Sequence, residues 1–252
     1  MPFTFAHPAA VLPIKKAGPV WLDTTALVLG SMAPDFEYFI RFKAQGVIGH
    51  TLPGFILLNL PLVLLLAFLW HYIIKTTFIP SLAKPLQRIF ISLGNSKFNI
   101  SSFSGFLAFV LSALTGMATH VLWDSFTHID GYFVGKIPFL SYCISIYSLE
   151  IPVYKVLQHG STLAGLFIII LYLYIYNRKS NFFIPEMPYV KKLVYWLSVF
   201  LITAIVVILR TLTVAVTGLS LFGIFTVTSI SGFLTGNLIV SVVYKVFNIY
   251  DT

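Results

Sequence analysis

Phe103–Trp123, F-S-G-F-L-A-F-V-L-S-A-L-T-G-M-A-T-H-V-L-W, runs without a break into Asp124–Asp130, D-S-F-T-H-I-D. The first part is apolar over the roughly 20 residues that a helix needs to cross a bilayer. The second part holds polar residues at the mouth of that span. In a helix His120, Asp124 and His128 follow one another at i, i+4 and i+8 and so share one face. Two imidazoles and a carboxylate on one face are a candidate metal or proton-handling site. His-x3-Asp alone arises often by chance, so the rest of the chain has to support or dissolve it.

The composition agrees with the span. Of 252 residues 58% are hydrophobic and 10% charged, with mean hydropathy +0.92, where a soluble domain carries about 25% charged residues. The chain therefore reads as an all-α integral membrane protein, a single membrane domain over 1–252. The net charge of +8 would point to nucleic acid in a soluble protein. Here the bases stand in short segments between apolar runs, which fits membrane topology and contact with anionic lipid, and no nucleic-acid-reading module is present. Cys143 is the one cysteine, which excludes an intrachain disulfide. The first residues lack the basic and apolar regions of a cleaved signal peptide.

Five spans are expected: Gly54–Ile74, Phe103–Trp123, Gly160–Tyr176, Leu193–Leu209 and Leu221–Tyr244. Residues 1–53 are too broken for a span and read as one or two interfacial or re-entrant helices. Asp23 caps a helix through Met32, and Pro34-Asp35-Phe36-Glu37 follows with two acids. Lys75–Ser102 reads as a basic loop with Lys75, Lys84, Arg88 and Lys97, and Asn177–Lys192 as another with Arg178, Lys179, Lys191 and Lys192. Residues 125–159 read as a mixed loop whose end, Pro152–His159, starts a helix, with Glu150 as its cap. Asp130-Gly131 and Arg210–Ser220 read as turns, and Arg210 as a helix-end anchor. Gly232-x-x-x-Gly236 permits close helix packing without specifying an oligomer.

With five spans, segments 1–53, 124–159 and 210–220 fall on one side. His7, His50, His120, His128 and His159 then share that side with Asp23, Asp35, Glu37, Asp124, Asp130 and Glu150, while Glu186 and Asp251 lie elsewhere. His71, between Trp70 and Tyr72, falls at the opposite end and reads as a hydrogen-bonded interfacial residue. The side opposite the cluster holds nine Lys/Arg against seven, which by the positive-inside rule puts the cluster outside the cytoplasm. Ionisable groups at membrane depth are costly and mark function. His7, Asp35, His50, His120, Asp124 and His159 are candidate ligands of a zinc- or manganese-type ion. Glu37 and His128 are candidate proton acceptors for the water such an ion would activate. A lipid ester or phosphoester is the substrate class that the location favours, with membrane lipids as partners. The alternative is a non-enzymatic membrane protein whose cluster is structural or handles an ion or protons.

Five blocks in this order carry a resemblance: F-A-H-P-A-A-V-L-P (Phe5–Pro13), G-S-M-A-P-D-F-E-Y-F (Gly30–Phe39), G-H-T-L-P-G (Gly49–Gly54), H-V-L-W-D-S-F-T-H-I-D-G (His120–Gly131) and P-V-Y-K-V-L-Q-H-G-S (Pro152–Ser161). They resemble an uncharacterised bacterial integral-membrane family, number 4184 in the domain-of-unknown-function series. The resemblance covers the chain to about Tyr176 and implies a bacterial inner-membrane protein without assigning an activity. A fainter likeness is to membrane-bound metal-dependent hydrolases related to zinc-dependent phospholipase C, at His7, Pro34-Asp35, His50-Thr51 and His120 with Asp124. That group has Asp-x-Asp-His where this chain has Pro34-Asp35-Phe36-Glu37.

Overall fold

A computed structural model describes residues 3–43, 45–94, 98–147, 149–177, 186–213, 219–247 and 249. Lys97, Arg178, Lys179, Asp251 and the middle of the expected 210–220 turn (214–218) lie outside the described residues. The described residues are 81% helical, and among them the strands amount to one hairpin, Cys143–Ile146 paired antiparallel with Leu149–Pro152. This is the expected all-α class. The helices are α1 (Pro8–Ala17), α2 (Thr24–Arg41), α3 (Leu52–Ser81), α4 (Lys84–Gly94), α5 (Phe103–Thr127), α6 (Val153–Asn177), α7 (Tyr189–Thr213) and α8 (Leu219–Val246). Among the described residues five helices are long and apolar enough to cross a membrane: α3, α5, α6, α7 and Gly223–Val246 of α8. Only 11% of the apolar window of α7 is buried within the protein. Such a surface belongs in hydrocarbon, and the protein is multi-pass.

Several boundaries differ from expectation. The N-terminal helix passes Met32 and continues through Pro34 to Arg41, burying the acids that argued against it. Glu37 is tolerated because Arg41 Nε donates to its Oε1 at 2.8 Å and the Val47 amide to its Oε2 at 2.9 Å. The first span does not end at Ile74. Hydroxyls of Thr76, Thr77 and Ser81 bond back to the carbonyls of Ile73, Ile74 and Phe78, so polar side chains satisfy themselves within the helix, and the end of α3 together with α4 replaces most of the expected basic loop. The 125–159 loop is partly ordered into two short turns, Tyr132–Lys136 and Pro138–Ser141, and the hairpin. Glu150 pairs with Ser145 in that hairpin and caps nothing. The helix begins at Val153 and runs to Asn177 without a break at Gly160, because one interior glycine costs only about 1 kcal/mol.

The described chain divides into two compact units. Unit 1 comprises Met1–Pro34, Ile48–Leu64 and Asn99–Tyr172. Its organising contact is the crossing of α2 and α5. A Cβ on Gly30 would lie 2.3 Å from the Ala113 carbonyl oxygen, and one on Gly116 would lie 2.4 Å from the Leu27 oxygen and 2.6 Å from the Ser31 nitrogen. Only hydrogen in place of a side chain lets these backbones approach so closely, as small residues do in membrane helix pairs. The Asp23 amide donates to Ser112 Oγ at 2.9 Å, and Asp23 Oδ1 accepts from the Ala26 amide at 2.8 Å. Asp23 is thus the expected cap and also ties α2 to α5. Burial pushes its carboxyl above the ordinary value against those hydrogen bonds.

Unit 2 comprises Asp35–Val47, Leu65–Phe98 and Leu173–Thr252. Here α7 packs on α8 around Tyr195, Val199, Val240 and Tyr244. The Gly232-x-x-x-Gly236 pattern serves this pair: Cβ atoms there would come within 3.1 Å of Thr203 Cα and 2.9 Å of the Val199 oxygen. Tyr195, Asn237, Ser241 and Thr77 form a buried chain of hydrogen bonds of 2.6 to 3.2 Å. Arg210 Nε donates to the Phe42 carbonyl at 3.4 Å, which realises its expected anchoring role. His71 Nδ1 accepts from Lys75 Nζ at 3.1 Å and its ring stacks on Phe98, the non-ligand environment expected of it.

The α2–α5 crossing sets a test. Gly116→Ala should lower the thermal midpoint of the detergent-solubilised protein by an amount equivalent to about 1–3 kcal/mol of overpacking. Gly135→Ala, where an added Cβ meets nothing within 4 Å, should leave it unchanged. Equal midpoints for the two variants would refute the close crossing.

Candidate metal centre

His120 sits one helical turn past Gly116 on α5, so the tight crossing presses it against α2. It is completely buried, and its Nδ1 lies 2.8 Å from the Ser31 carbonyl oxygen. A carbonyl can only accept, so Nδ1 carries the proton and donates. In a neutral ring this leaves the lone pair on Nε2, which faces Asp124 Oδ2 at 3.3 Å and His50 Nε2 at 3.2 Å. Asp124 follows one turn later on the same face, as the sequence spacing requires. Its Oδ2 stands 3.6 Å from His50 Nε2.

The second imidazole is placed by the loop ahead of α3. Buried Asn59 donates from Nδ2 to the Gly49 carbonyl at 2.6 Å, clamping the residue before His50. Thr51 caps α3 by accepting from the Gly54 amide at 3.1 Å. Gly54 is required, since a Cβ there would lie 1.8 Å from the Ile48 oxygen. The G-H-T-L-P-G block is therefore a device that fixes His50. Asn59 lies inside the expected span Gly54–Ile74, where a buried amide is costly unless it holds something. Asn59, Ser31 and Gly116 are the site residues that reading by ligand type misses.

His7, at the N-terminus of α1, stacks on the His120 ring with centroids 3.8 Å apart, and its Nε2 is 3.6 Å from Asp124 Oδ1. His128 ends α5. Its Nδ1 lies 3.1 Å from the Asp124 backbone oxygen and 3.6 Å from Asp124 Oδ1. Asp124 is thus surrounded by four imidazoles. Asp35 is fully buried on the unbroken helix α2, one turn past Ser31, on the face whose carbonyl holds His120.

Two expected residues take other places. His159 is on the exposed face of α6, because the helix runs straight through it and no turn redirects its side chain; it is not brought into the group. Glu37 has both carboxylate oxygens engaged by Arg41 and the Val47 amide, which leaves it a structural residue in unit 2 and not a free base.

The donor spacing can be tested against an ion. Donors 2.0–2.2 Å from a tetrahedral zinc lie about 3.3–3.6 Å apart. The separations among His50 Nε2, His120 Nε2 and Asp124 Oδ2 are 3.2, 3.3 and 3.6 Å. The donated Nδ1–H of His120 to a backbone carbonyl is also the outer contact that metal-ligating histidines make. The group could hold a metal ion.

Fold and site together define a multi-pass membrane protein with a buried His/Asp cluster of metal-binding capacity. The chain belongs to the domain of unknown function family DUF4184, whose model matches residues 1–243. The match reaches into α8 and so takes in the last two spans, beyond the Tyr176 limit of the motif blocks. No curated protein and no solved structure matches the chain.

The structural role of Glu37 predicts that Glu37→Gln lowers thermal stability, by about 1–3 kcal/mol for a buried charge-assisted network, while leaving metal binding intact. Loss of bound metal at unchanged stability would return Glu37 to the site.

Proposed function

We propose that this protein is a membrane-embedded, metal-dependent hydrolase of a lipid or lipid-linked ester or phosphoester. One observation carries the reading. His120 Nε2 and Asp124 Oδ2 face each other at 3.3 Å in a buried site, while the other nitrogen of His120 is committed as a donor to Ser31. Lone pair against carboxylate requires positive charge between or beside them. A divalent ion held by His50, His120 and Asp124 supplies it. A zinc-type ion brings an activated water and charge stabilisation on an attacked carbonyl or phosphoryl oxygen.

The surrounding residues have separate tasks in this reading. Ser31 fixes the tautomer of His120, and Asn59 fixes the backbone that carries His50. His7 and His128, each 3.6 Å from Asp124 Oδ1, are the groups positioned to accept and return a proton. The nine-to-seven distribution of Lys and Arg supports an extracytoplasmic site, and the family resemblance supports a bacterial inner membrane. The competing reading places a proton, not a metal, on His120, which would make the cluster an ion- or proton-handling element without hydrolysis.

Metal analysis of detergent-purified protein after zinc loading separates them. The wild type should retain about one equivalent of zinc and His120→Ala less than about a tenth of that. Asn59→Leu should weaken zinc binding by about 10–100-fold, the range for residues that orient ligands. Affinity should fall under acid conditions, where protons compete with the metal for the imidazole nitrogens. Zinc-loaded protein in vesicles made from a total bacterial lipid extract should release a labelled product that His120→Ala does not. A wild type that holds no more metal than His120→Ala would contradict the metal reading. Bound metal without product would contradict the hydrolase reading alone.

A further inference from the structure

Beside the cluster, within unit 1, lies a groove of about 260 Å³ between the N-terminal segment, α5 and α6. Ala6, Ala9 and Ala10 form one wall, and Ala164, Gly165 and Ile168 form the other. These positions recur at helical spacing, and the alanines leave the space that larger side chains would fill, while Gly165 lets α6 pass close to Ala6. His7 and Ser161 are the polar residues of its lining. Ser161 Oγ is already engaged, donating to the Gln158 carbonyl and accepting from Trp123 Nε1, both at 3.2 Å. His7 lines the groove and also stands 3.6 Å through Nε2 from Asp124 Oδ1.

We propose that this groove seats one hydrocarbon chain of the lipid substrate, delivering the attached ester or phosphoester to the His/Asp group past His7. This rests on the hydrolase reading of that group and adds the substrate's apolar half. Three features select a hydrocarbon chain over a peptide or a polar ligand. Trp123 and Ile168 of its lining are 44% and 48% exposed on membrane-spanning helices, where hydrocarbon is the solvent. Its lining offers no row of donors or acceptors for a peptide backbone, which needs every polar group satisfied at membrane depth. Its volume, about 260 Å³, lies below the roughly 300–1,000 Å³ of ordinary ligand pockets, which suits one slender chain.

A chain leaving bulk lipid for the groove gains little from the hydrophobic effect, since it is apolar in both places. The groove therefore selects by shape, and filling it should abolish occupancy. The test uses full-length protein in phosphatidylglycerol vesicles containing a phosphatidylglycerol with a photoactivatable diazirine on one acyl chain. Adducts mapped by mass spectrometry should concentrate on Ala9, Ala10, Ala164 and Ile168. Ala164→Phe should reduce them by about tenfold or more, the factor expected from overpacking a shape-selected pocket, while retaining zinc. Adducts spread evenly over exposed neighbours such as Leu163 and Phe167, or unchanged in Ala164→Phe, would overturn the proposal. The wild-type map decides alone if that variant does not fold. Focused adducts on a protein that binds no zinc would sink the metal reading and leave the lipid groove standing.

Discussion

The hydrogen bond from His120 Nδ1 to the Ser31 carbonyl is the constraint on which the site depends. It exists only because Gly30 and Gly116 let α2 and α5 approach backbone to backbone. It commits one nitrogen of His120 as a donor and, in the neutral ring, presents the other as a lone pair toward Asp124 and His50. Packing of small residues is thereby converted into electrostatics. A crossing wider by one methyl group would lose the tautomer control as well as the contact.

Around that bond the unit places its remaining groups by separate means. Helical periodicity alone brings Asp124 and His128 after His120. A clamped loop ahead of α3 supplies His50, with Asn59 and Gly54 each doing what no other residue type does at that place. The N-terminus of α1 supplies His7 by stacking. No single element contains the cluster, and each contribution is fixed by a local device that costs little elsewhere. Unit 2 holds its buried polar groups differently: Tyr195, Asn237, Ser241 and Thr77 satisfy one another.

Much of this was legible in the sequence. Long apolar runs set the five spans, because hydrocarbon thickness leaves little freedom in their length. The i, i+4 spacing set the face shared by His120 and Asp124, and the excess of histidines and acids on one side indicated where they gather. His159 misled because the count of spans puts it on the side of the cluster, whereas the helix from Val153 carries it onto an exposed face. Glu37 misled because its partner, the Val47 amide, is a backbone group ten residues away that no residue-type pattern shows. The hairpin at 143–152 alternates only over Ile144-Ser145-Ile146 and Leu149-Glu150-Ile151, runs too short to stand out as strands. The roles of Ser31 and Gly116 act through backbone atoms, which side-chain chemistry does not announce.

The central claim is that His50, His120 and Asp124 share one ion. X-ray absorption at the zinc edge of the loaded, membrane-solubilised protein measures that shell directly. The account predicts a four-coordinate ion with two imidazole ligands and carboxylate oxygen, all at about 2.0–2.2 Å, and loss of the imidazole scattering in His120→Ala. An oxygen-only shell, or a spectrum indifferent to His120, would contradict it.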